Sequence, residues 1–195
     1  PRYDVLHQIF GETAKPFLYN NGLQVIQEMK TIEELFRLIR VLNKSMWAVM
    51  CFGNNYGVAN GKPTRGIYDP RIKAWKELGK DRCGIPPEWA VQDLEGYVRY
   101  TAGLRMFCQE VQPGEFTPYE SSFVQYVIEH PELLDQPTKL MEAYVSHTSM
   151  VWFHNRLNMG MGKGGEPKFA CETRYLPTFP ELQIKFAWAA FFRGL

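Results

Sequence analysis

The sequence predicts an all-α protein, a single compact helical domain with an N-terminal helical arm or extension. A Thr-x-x-Glu capping signature occurs three times, and apolar residues recur at helical spacing over several long segments. Alternating patterns typical of strands are almost absent. With 195 residues, 45% hydrophobic and 22% charged, the chain can bury one core and is too apolar to be a disordered chain.

The first capping signature, Thr31-Ile-Glu-Glu34, predicts a helix over residues 31–50. The second and third, Thr117-Pro-Tyr-Glu120 and Thr178-Phe-Pro-Glu181, predict helices over 119–130 and 180–193. Apolar periodicity predicts further helices over residues 69–79, 87–111 and 138–159. Loops are predicted over residues 53–63, 112–116 and 160–167. We divide the chain into an arm, residues 1–60 with the helix over 31–50, and a helical core domain, residues 61–195.

Several protein classes do not fit this composition. The densest apolar run, residues 186–192, is too short to span a membrane, and we expect no signal peptide at the N-terminus. The four cysteines (Cys51, Cys83, Cys108 and Cys171) are far apart in sequence and form no CxxC pair. We therefore expect reduced, buried thiols rather than a disulfide scaffold or a zinc ribbon.

The formal net charge of +1 conceals an uneven distribution. Residues 62–82 carry seven basic and three acidic side chains, and residues 156–193 carry six basic and three acidic. Residues 110–142 carry seven acidic side chains and one lysine. A dipolar surface suits head-to-tail contacts between copies, and the basic segments could face an anion. The alternative interpretation is ordinary solvated faces.

Candidate catalytic patterns are weak. Gly160-Met-Gly-Lys-Gly-Gly165 matches G-x-G-x-x-G but follows a predicted helix rather than a strand, so we interpret it as a connector. His147 and His154 share a face of one predicted helix, yet no further ligands accompany them. Cys83 beside Arg82 is too little for a nucleophile. The sequence thus predicts no enzyme, no cofactor, no metal and no small-molecule substrate; an enzyme with an unrecognised site is the third hypothesis.

The C-terminal segment 186–192 is apolar on all sides of its predicted helix. Such a helix is buried in a core or in a subunit interface. Phe186, Trp188, Phe191 and Phe192 are therefore the candidate subunit-interface residues.

This segment also carries a resemblance. Lys185-Phe-Ala-Trp-Ala-Ala-Phe-Phe-Arg-Gly-Leu195 resembles the signature K-F-A-x-F-D-F-F-x-G-V of the coat proteins of flexible filamentous plant RNA viruses. Further blocks occur in the family's order, and the resemblance covers residues 70–195: Pro70-Arg-Ile-Lys-Ala74, Cys83-Gly-Ile-Pro86, Tyr97-Val-Arg-Tyr100, Met150-Val-Trp152 and Phe179-Pro-Glu181. The signature's Asp falls at Ala190 and its Arg partner near Met141, so both members of that ion pair are replaced together.

The resemblance implies a helical coat or nucleocapsid subunit of a virion or the host cytoplasm, which assembles with copies of itself around single-stranded RNA. Candidate RNA-binding residues are the cations close in sequence to the aromatics Tyr97, Tyr100, Trp152, Phe169 and Tyr175: Arg99, Arg105, Arg156, Lys163, Lys168, Arg174 and Lys185. Backbone neutralisation with base stacking predicts a salt-sensitive affinity that is indifferent to sequence.

An alternative hypothesis uses the same features without RNA. A dipolar helical protein with an apolar C-terminal helix also suits an accessory (supernumerary) subunit of a large organellar complex, which binds protein only. This alternative predicts a defined hetero-assembly and no self-assembly.

Overall fold

The computed structural model describes residues 2–14, 22–53, 58–59, 62–63, 75, 77, 79, 81–112, 114–161, 166–177, 179 and 181–194. The α-helices are α1 (Arg2–Phe10), α2 (Ile32–Gly53), α3 (Leu94–Gly103), α4 (Phe123–Glu129), α5 (Pro137–Thr148) and α6 (Leu182–Gly194). The strands are β1 (Gly22–Met29), β2 (Val58–Ala59), β3 (Lys62–Pro63), β4 (Cys83–Gly84), β5 (Cys108–Gln112), β6 (Glu115–Pro118), β7 (Trp152–Phe153), β8 (Asn155–Met161) and β9 (Pro167–Pro177). Short 3-10 helices cover Gly11–Ala14, Glu88–Val91 and Pro131–Asp135.

A three-stranded antiparallel sheet, in the order β1-β9-β8, lies at the centre of the fold. Thr173 of β9 pairs with Val25 of β1 on one side and with Asn155 of β8 on the other. Side chains along a strand alternate between the two faces of a sheet. One face of β9 therefore carries Phe169, Cys171, Thr173 and Tyr175, and the opposite face carries Lys168, Ala170, Glu172 and Arg174.

Helix α2 covers the first of these faces. Thr31 is its N-cap: Oγ1 accepts a hydrogen bond from the Glu34 N–H at 3.2 Å, and Glu34 Oε2 accepts one from the Lys30 N–H at 3.2 Å. The predicted cap and the predicted helix are confirmed. The apolar stripe of α2 is buried against residues of β8 and β9 in one core cluster, and its buried members are Leu35, Phe36, Ile39, Leu42 and Val49.

Two side-chain amides, one of them buried, fix the position of α2 on the sheet. Asn155 Nδ2 donates to Asn43 Oδ1 at 2.8 Å, and Asn155 Oδ1 accepts from Thr173 Oγ1 at 3.0 Å. Asn155 and Thr173 are fully buried, where a polar group left without a partner costs about 1–3 kcal/mol. This network favours one register between helix and sheet.

A second cluster forms where α3, α4 and α5 meet. Ser122 caps α4 by accepting from the Gln125 N–H at 3.1 Å, and Phe123 then packs on Tyr144 and His147 of α5. Thr101 of α3 links the helices, because its Oγ1 lies 2.6 Å from the Tyr144 hydroxyl. The β5–β6 hairpin lies beside α5 and turns at Gly114, whose φ of 80° favours glycine.

A buried arginine, Arg82, lies beside the short parallel pair β4–β7, against a third core cluster that includes Phe107, Met150 and Trp152. Arg82 Nη1 donates to the Met150 carbonyl at 3.1 Å, and the guanidinium carbon lies 3.7 Å from the centroid of the Phe107 ring. Burial lowers the pKa of Arg82 to about 10, so the group remains charged near neutral pH. The cation–π contact offsets part of the cost of its desolvation.

The all-α prediction is wrong, because the protein is a mixed α/β fold built around the β1-β9-β8 sheet. The predicted helix over 138–159 ends at Thr148, and the chain turns there into β7 and β8. The predicted helix over 87–111 divides into a 3-10 helix, α3 and β5. In both segments short stretches of apolar residues fit the helical or the strand period, and hairpin pairing of β5 with β6 and of β8 with β9 decides in favour of strands.

The second capping signature is also misplaced. Thr117 lies in β6, opposite Gln109, and the helix after it begins at Phe123 with Ser122 as its cap. Thr178, the third cap, lies outside the described residues, but its helix is present as α6. The helix predicted over 69–79 and most of the loop over 53–63 also lie outside the described residues, apart from isolated positions.

The division into an arm over 1–60 and a core over 61–195 stays a prediction. Within the described residues, β1 of the arm segment pairs with β9, and α2 supplies part of the main core cluster. No helix in this described part of the chain is long and apolar enough to cross a membrane.

Candidate protein interface

Residues 186–192 of helix α6 are apolar on every side of the helix, but only one side is buried. Phe192 is fully buried, with its ring centroid 6.1 Å from that of Tyr175 of β9. Trp188 is half-buried and stacks on Phe179 at 6.4 Å. Phe186 is 65% exposed and Phe191 is 47% exposed. Of the four predicted interface residues, the structure thus places one in the core and two at the surface.

A hydrogen bond holds α6 beside the edge of the sheet. Gln27 Nε2 of β1 donates to the Phe192 carbonyl at 2.8 Å, near the C-terminal end of the helix. Because Phe192 also fills the core, this end of α6 is held by both its backbone and its side chain. The exposed phenylalanines are therefore presented on a fixed helix.

A cavity of about 380 Å³ opens between α2 and α6, and we call it the α2–α6 groove. Its walls are mostly apolar, and the lining residues are Ser45, Ala48, Val49, Ala187, Trp188 and Phe191. Small residues on both helices leave room for side chains from outside. An apolar groove between two helices is a common site for an amphipathic helix of a partner.

The helix segments that form the two walls of the groove carry cations but no acidic residue. The part of α2 from Arg37 to Gly53 and the whole of α6 contain no acidic residue. Their cations are Arg37, Arg40, Lys44, Lys185 and Arg193. Arg40 donates to the Val91 and Gln92 carbonyls and Lys44 lies 3.5 Å from Glu88, whereas Arg37 and Arg193 are exposed.

The predicted RNA-binding cations do not converge on one surface. Arg156, Lys168 and Arg174 share the sheet face opposite α2, Arg99 lies on α3, Arg105 precedes β5, and Lys185 lies on α6. Lys163 lies outside the described residues. Arg105 is exposed, with its guanidinium carbon 5.1 Å from the Phe107 ring centroid.

Four of these cations already contact carboxylates. Arg156 and Arg174 both bind the buried Glu172, with Arg156 Nη2 at 2.6 Å from Oε2 and Arg174 Nε at 3.4 Å from Oε1. At the surface, Lys168 pairs with Glu28 at 3.5 Å and Arg99 pairs with Glu95. A phosphate would have to compete with these intramolecular partners.

The aromatic rings expected to stack on bases are mainly core residues. Tyr97, Trp152 and Tyr175 are buried, and Tyr100 stacks on Phe153 with a centroid separation of 5.9 Å. Stacking on a base requires an accessible ring face. The RNA-binding assignment therefore stays a prediction without support from these contacts.

The histidines and cysteines considered as candidate ligands or nucleophiles lie in separate environments. His147 lies in α5 and His154 between β7 and β8, so they do not share a helix face as predicted. Burial raises the pKa of the Cys83 and Cys171 thiols to about 12, which outweighs the charge of Arg82 beside Cys83 and keeps both protonated. Among the described residues, no three His, Cys, Asp or Glu side chains are grouped so as to hold a metal.

His147 makes folding sensitive to pH. Its Nε2 donates to the Thr101 carbonyl at 2.7 Å, while Nδ1 is buried and, among the described residues, has no hydrogen-bond partner. Burial lowers the pKa of His147 from 6.5 to about 4, because the buried ring must stay neutral. As the pH falls, His147 takes up a proton at a higher pH in the unfolded chain than in the folded one. The free energy of unfolding therefore falls as the pH drops from about 6.5 to 4.

We expect this loss to be about 3 kcal/mol in the wild type. Urea unfolding of His147→Gln should lack this part of the pH dependence, whereas His130→Gln, at a half-buried surface site, should retain it. An unchanged slope between pH 6.5 and 4 in His147→Gln would contradict the assignment.

Neither a scan of protein-family models nor a search of curated proteins finds a match to this chain. The resemblance to filamentous virus coat proteins is accordingly untested. The all-helical fold that it implies is not the fold described here.

Sequence reasoning missed the residues that build the groove. Gln27, Ser45 and Ala48 carry no motif, and their roles depend on where β1 and α2 lie relative to α6. Glu172 was not predicted either, although side chains that alternate between two faces over residues 168–175 indicate a strand.

Proposed function

We propose that this protein is a non-enzymatic structural subunit that assembles with copies of itself through the α2–α6 groove. One observation carries the proposal: a fixed helix exposes Phe191 in the wall of an open, mostly apolar groove, and the same helix also exposes Phe186. A few aromatic residues around a pocket typically supply most of the binding energy of an interface. Burying one such side chain contributes about 1.5–3 kcal/mol.

The charges of the chain favour a second copy as the partner. The groove lies between helix segments that carry cations and no acidic residue, and residues 110–142 of the same chain are strongly acidic. A copy can therefore offer an acidic surface to the basic groove. We do not propose RNA binding, because the candidate cations are largely paired with carboxylates and the candidate stacking rings are largely buried.

Substituting the exposed phenylalanines should abolish assembly without unfolding the protein. Phe186→Glu and Phe191→Glu each place a charge where the interface would exclude water. We expect self-association to weaken by at least about thirtyfold, which corresponds to about 2 kcal/mol. Light scattering after size-exclusion chromatography, over a range of concentrations, measures this change directly.

Ile26→Glu is the matched control. Ile26 is 56% exposed on β1, and its side chain lies on the sheet face opposite α2. This variant should assemble like the wild type. A wild type that stays monomeric at its highest concentration would contradict the proposal and favour the accessory-subunit alternative, as would normal assembly of both phenylalanine variants.

A further inference from the structure

We infer that the α2–α6 groove of one copy receives α4 and the following 3-10 helix of the next copy, in a head-to-tail arrangement. The inference rests on the proposed function, since it identifies the surface that fills the groove. The donor surface comprises Phe123–Glu129 and Pro131–Asp135, and we call it the α4 surface.

Exposed apolar side chains make the α4 surface suitable for a groove. Val124 and Ile128 are 48% and 64% exposed, and they lie one turn apart on α4. Residues at i and i+4 share a helix face and form the usual anchors of a helix in an apolar groove. Leu134, 64% exposed, continues this apolar character into the 3-10 helix.

The charge of the α4 surface is opposite to that of the groove. Residues 123–135 include Glu129, Glu132 and Asp135 but no lysine or arginine. Glu129 is held in its charged form, because hydrogen bonds from Gln125 and Tyr119 lower its pKa. In contrast, an α6-to-α6 contact between copies would bring Lys185 and Arg193 of each copy close to the same residues of the other.

The α5 surface fits the groove less well. Met141 and Val145 are also exposed and one turn apart, but Lys139 balances Glu142 on that helix. Only the α4 surface combines an apolar i, i+4 pair with a net negative charge among the helices described. Of the α4 and α5 surfaces, the α4 surface therefore fits the groove better.

A contact between two different surfaces has a consequence for the size of the assembly. After two copies bind, the pair keeps one free groove and one free α4 surface, so growth continues until a ring closes or a chain extends. A contact of α6 with α6 would stop at a dimer. The two arrangements can therefore be separated by mixing blocked variants.

The test uses one variant for each surface. Phe191→Glu blocks the groove, and Ile128→Lys blocks the α4 surface with a cation that the dipole at the C-terminal end of α4 favours. Alone, each full-length variant should be monomeric. An equimolar mixture should form a 1:1 dimer and nothing larger, because one intact groove and one intact α4 surface remain.

Met141→Lys controls for the charge change on the neighbouring helix and should assemble like the wild type. Circular dichroism of each variant must match that of the wild type, and the urea midpoints of Phe191→Glu and Ile128→Lys must match that of Phe186→Glu, because self-association raises the midpoint of the wild type. Val124→Lys replaces Ile128→Lys if that variant does not fold. If the α4 variant assembles normally while Phe191→Glu stays monomeric, the proposed function stands and this inference is overturned. Failure of the mixture to dimerise, or disruption by Met141→Lys, also overturns it.

Discussion

Phe192→Ala is expected to lower the free energy of unfolding by about 3–5 kcal/mol, while Phe191→Ala lowers it by less than about 1 kcal/mol. Phe192 is fully buried against Tyr175 and Trp188, so alanine leaves a cavity in the main core. Phe191 is nearly half exposed and loses few contacts within the chain. Two adjacent, chemically identical residues should thus differ several-fold in their contribution to the free energy of unfolding.

Both substitutions should weaken self-association, for different reasons. Phe191→Ala removes a wall of the groove directly, whereas Phe192→Ala releases the end of α6 that Gln27 and the core hold. Urea unfolding is best measured in the Phe186→Glu background, because self-association would otherwise add to the apparent stability. Equal losses of stability in the two variants would contradict the orientation of α6.

Glu172→Ala is the second substitution with a large expected effect, a loss of about 3–5 kcal/mol. Glu172 is 5% exposed and contacts two arginines, Arg156 and Arg174. Removing its carboxylate leaves both guanidinium groups without this shared negative charge in a largely buried site. Glu172→Gln, which conserves volume, should lose most of the same free energy because the charge rather than the packing is removed.

Glu28→Ala provides the control on the same sheet. Glu28 pairs with Lys168 at the surface, where ion pairs contribute only about 0–1 kcal/mol. Urea unfolding of the three variants at one ionic strength measures the difference. If Glu172→Ala costs no more than Glu28→Ala, the buried network does not stabilise the fold as described.

Local signals in the sequence predicted two of the helices, α2 and α6. The Thr31 capping box and the 3–4 spacing after it lie within one segment, and α2 is present as predicted. The apolar segment 186–192 likewise lies in a helix, α6. These elements depend on contacts between residues a few positions apart, which a reader of the sequence can see.

The sheet could not be assigned from such signals alone. β1 pairs with β9 across roughly 150 residues, and nothing in residues 22–29 indicates that partner. Residues 155–159 were assigned to a helix because the apolar pattern of α5 seemed to extend into them, although the helix ends at Thr148. Thr117 has the residue type of a cap but pairs in β6, because the hairpin with β5 satisfies its backbone instead.

The sequence by itself determined that the chain has a strongly capped α2, an apolar C-terminal helix and segments of opposite charge. Only the tertiary structure decided that Phe192 is buried while Phe191 is exposed, and that Glu172 neutralises Arg156 sixteen residues away. The physical reason is that composition and local period are properties of neighbours along the chain. Burial and ion pairing depend on which distant segments come into contact, and strand pairing in the β1-β9-β8 sheet determines those contacts.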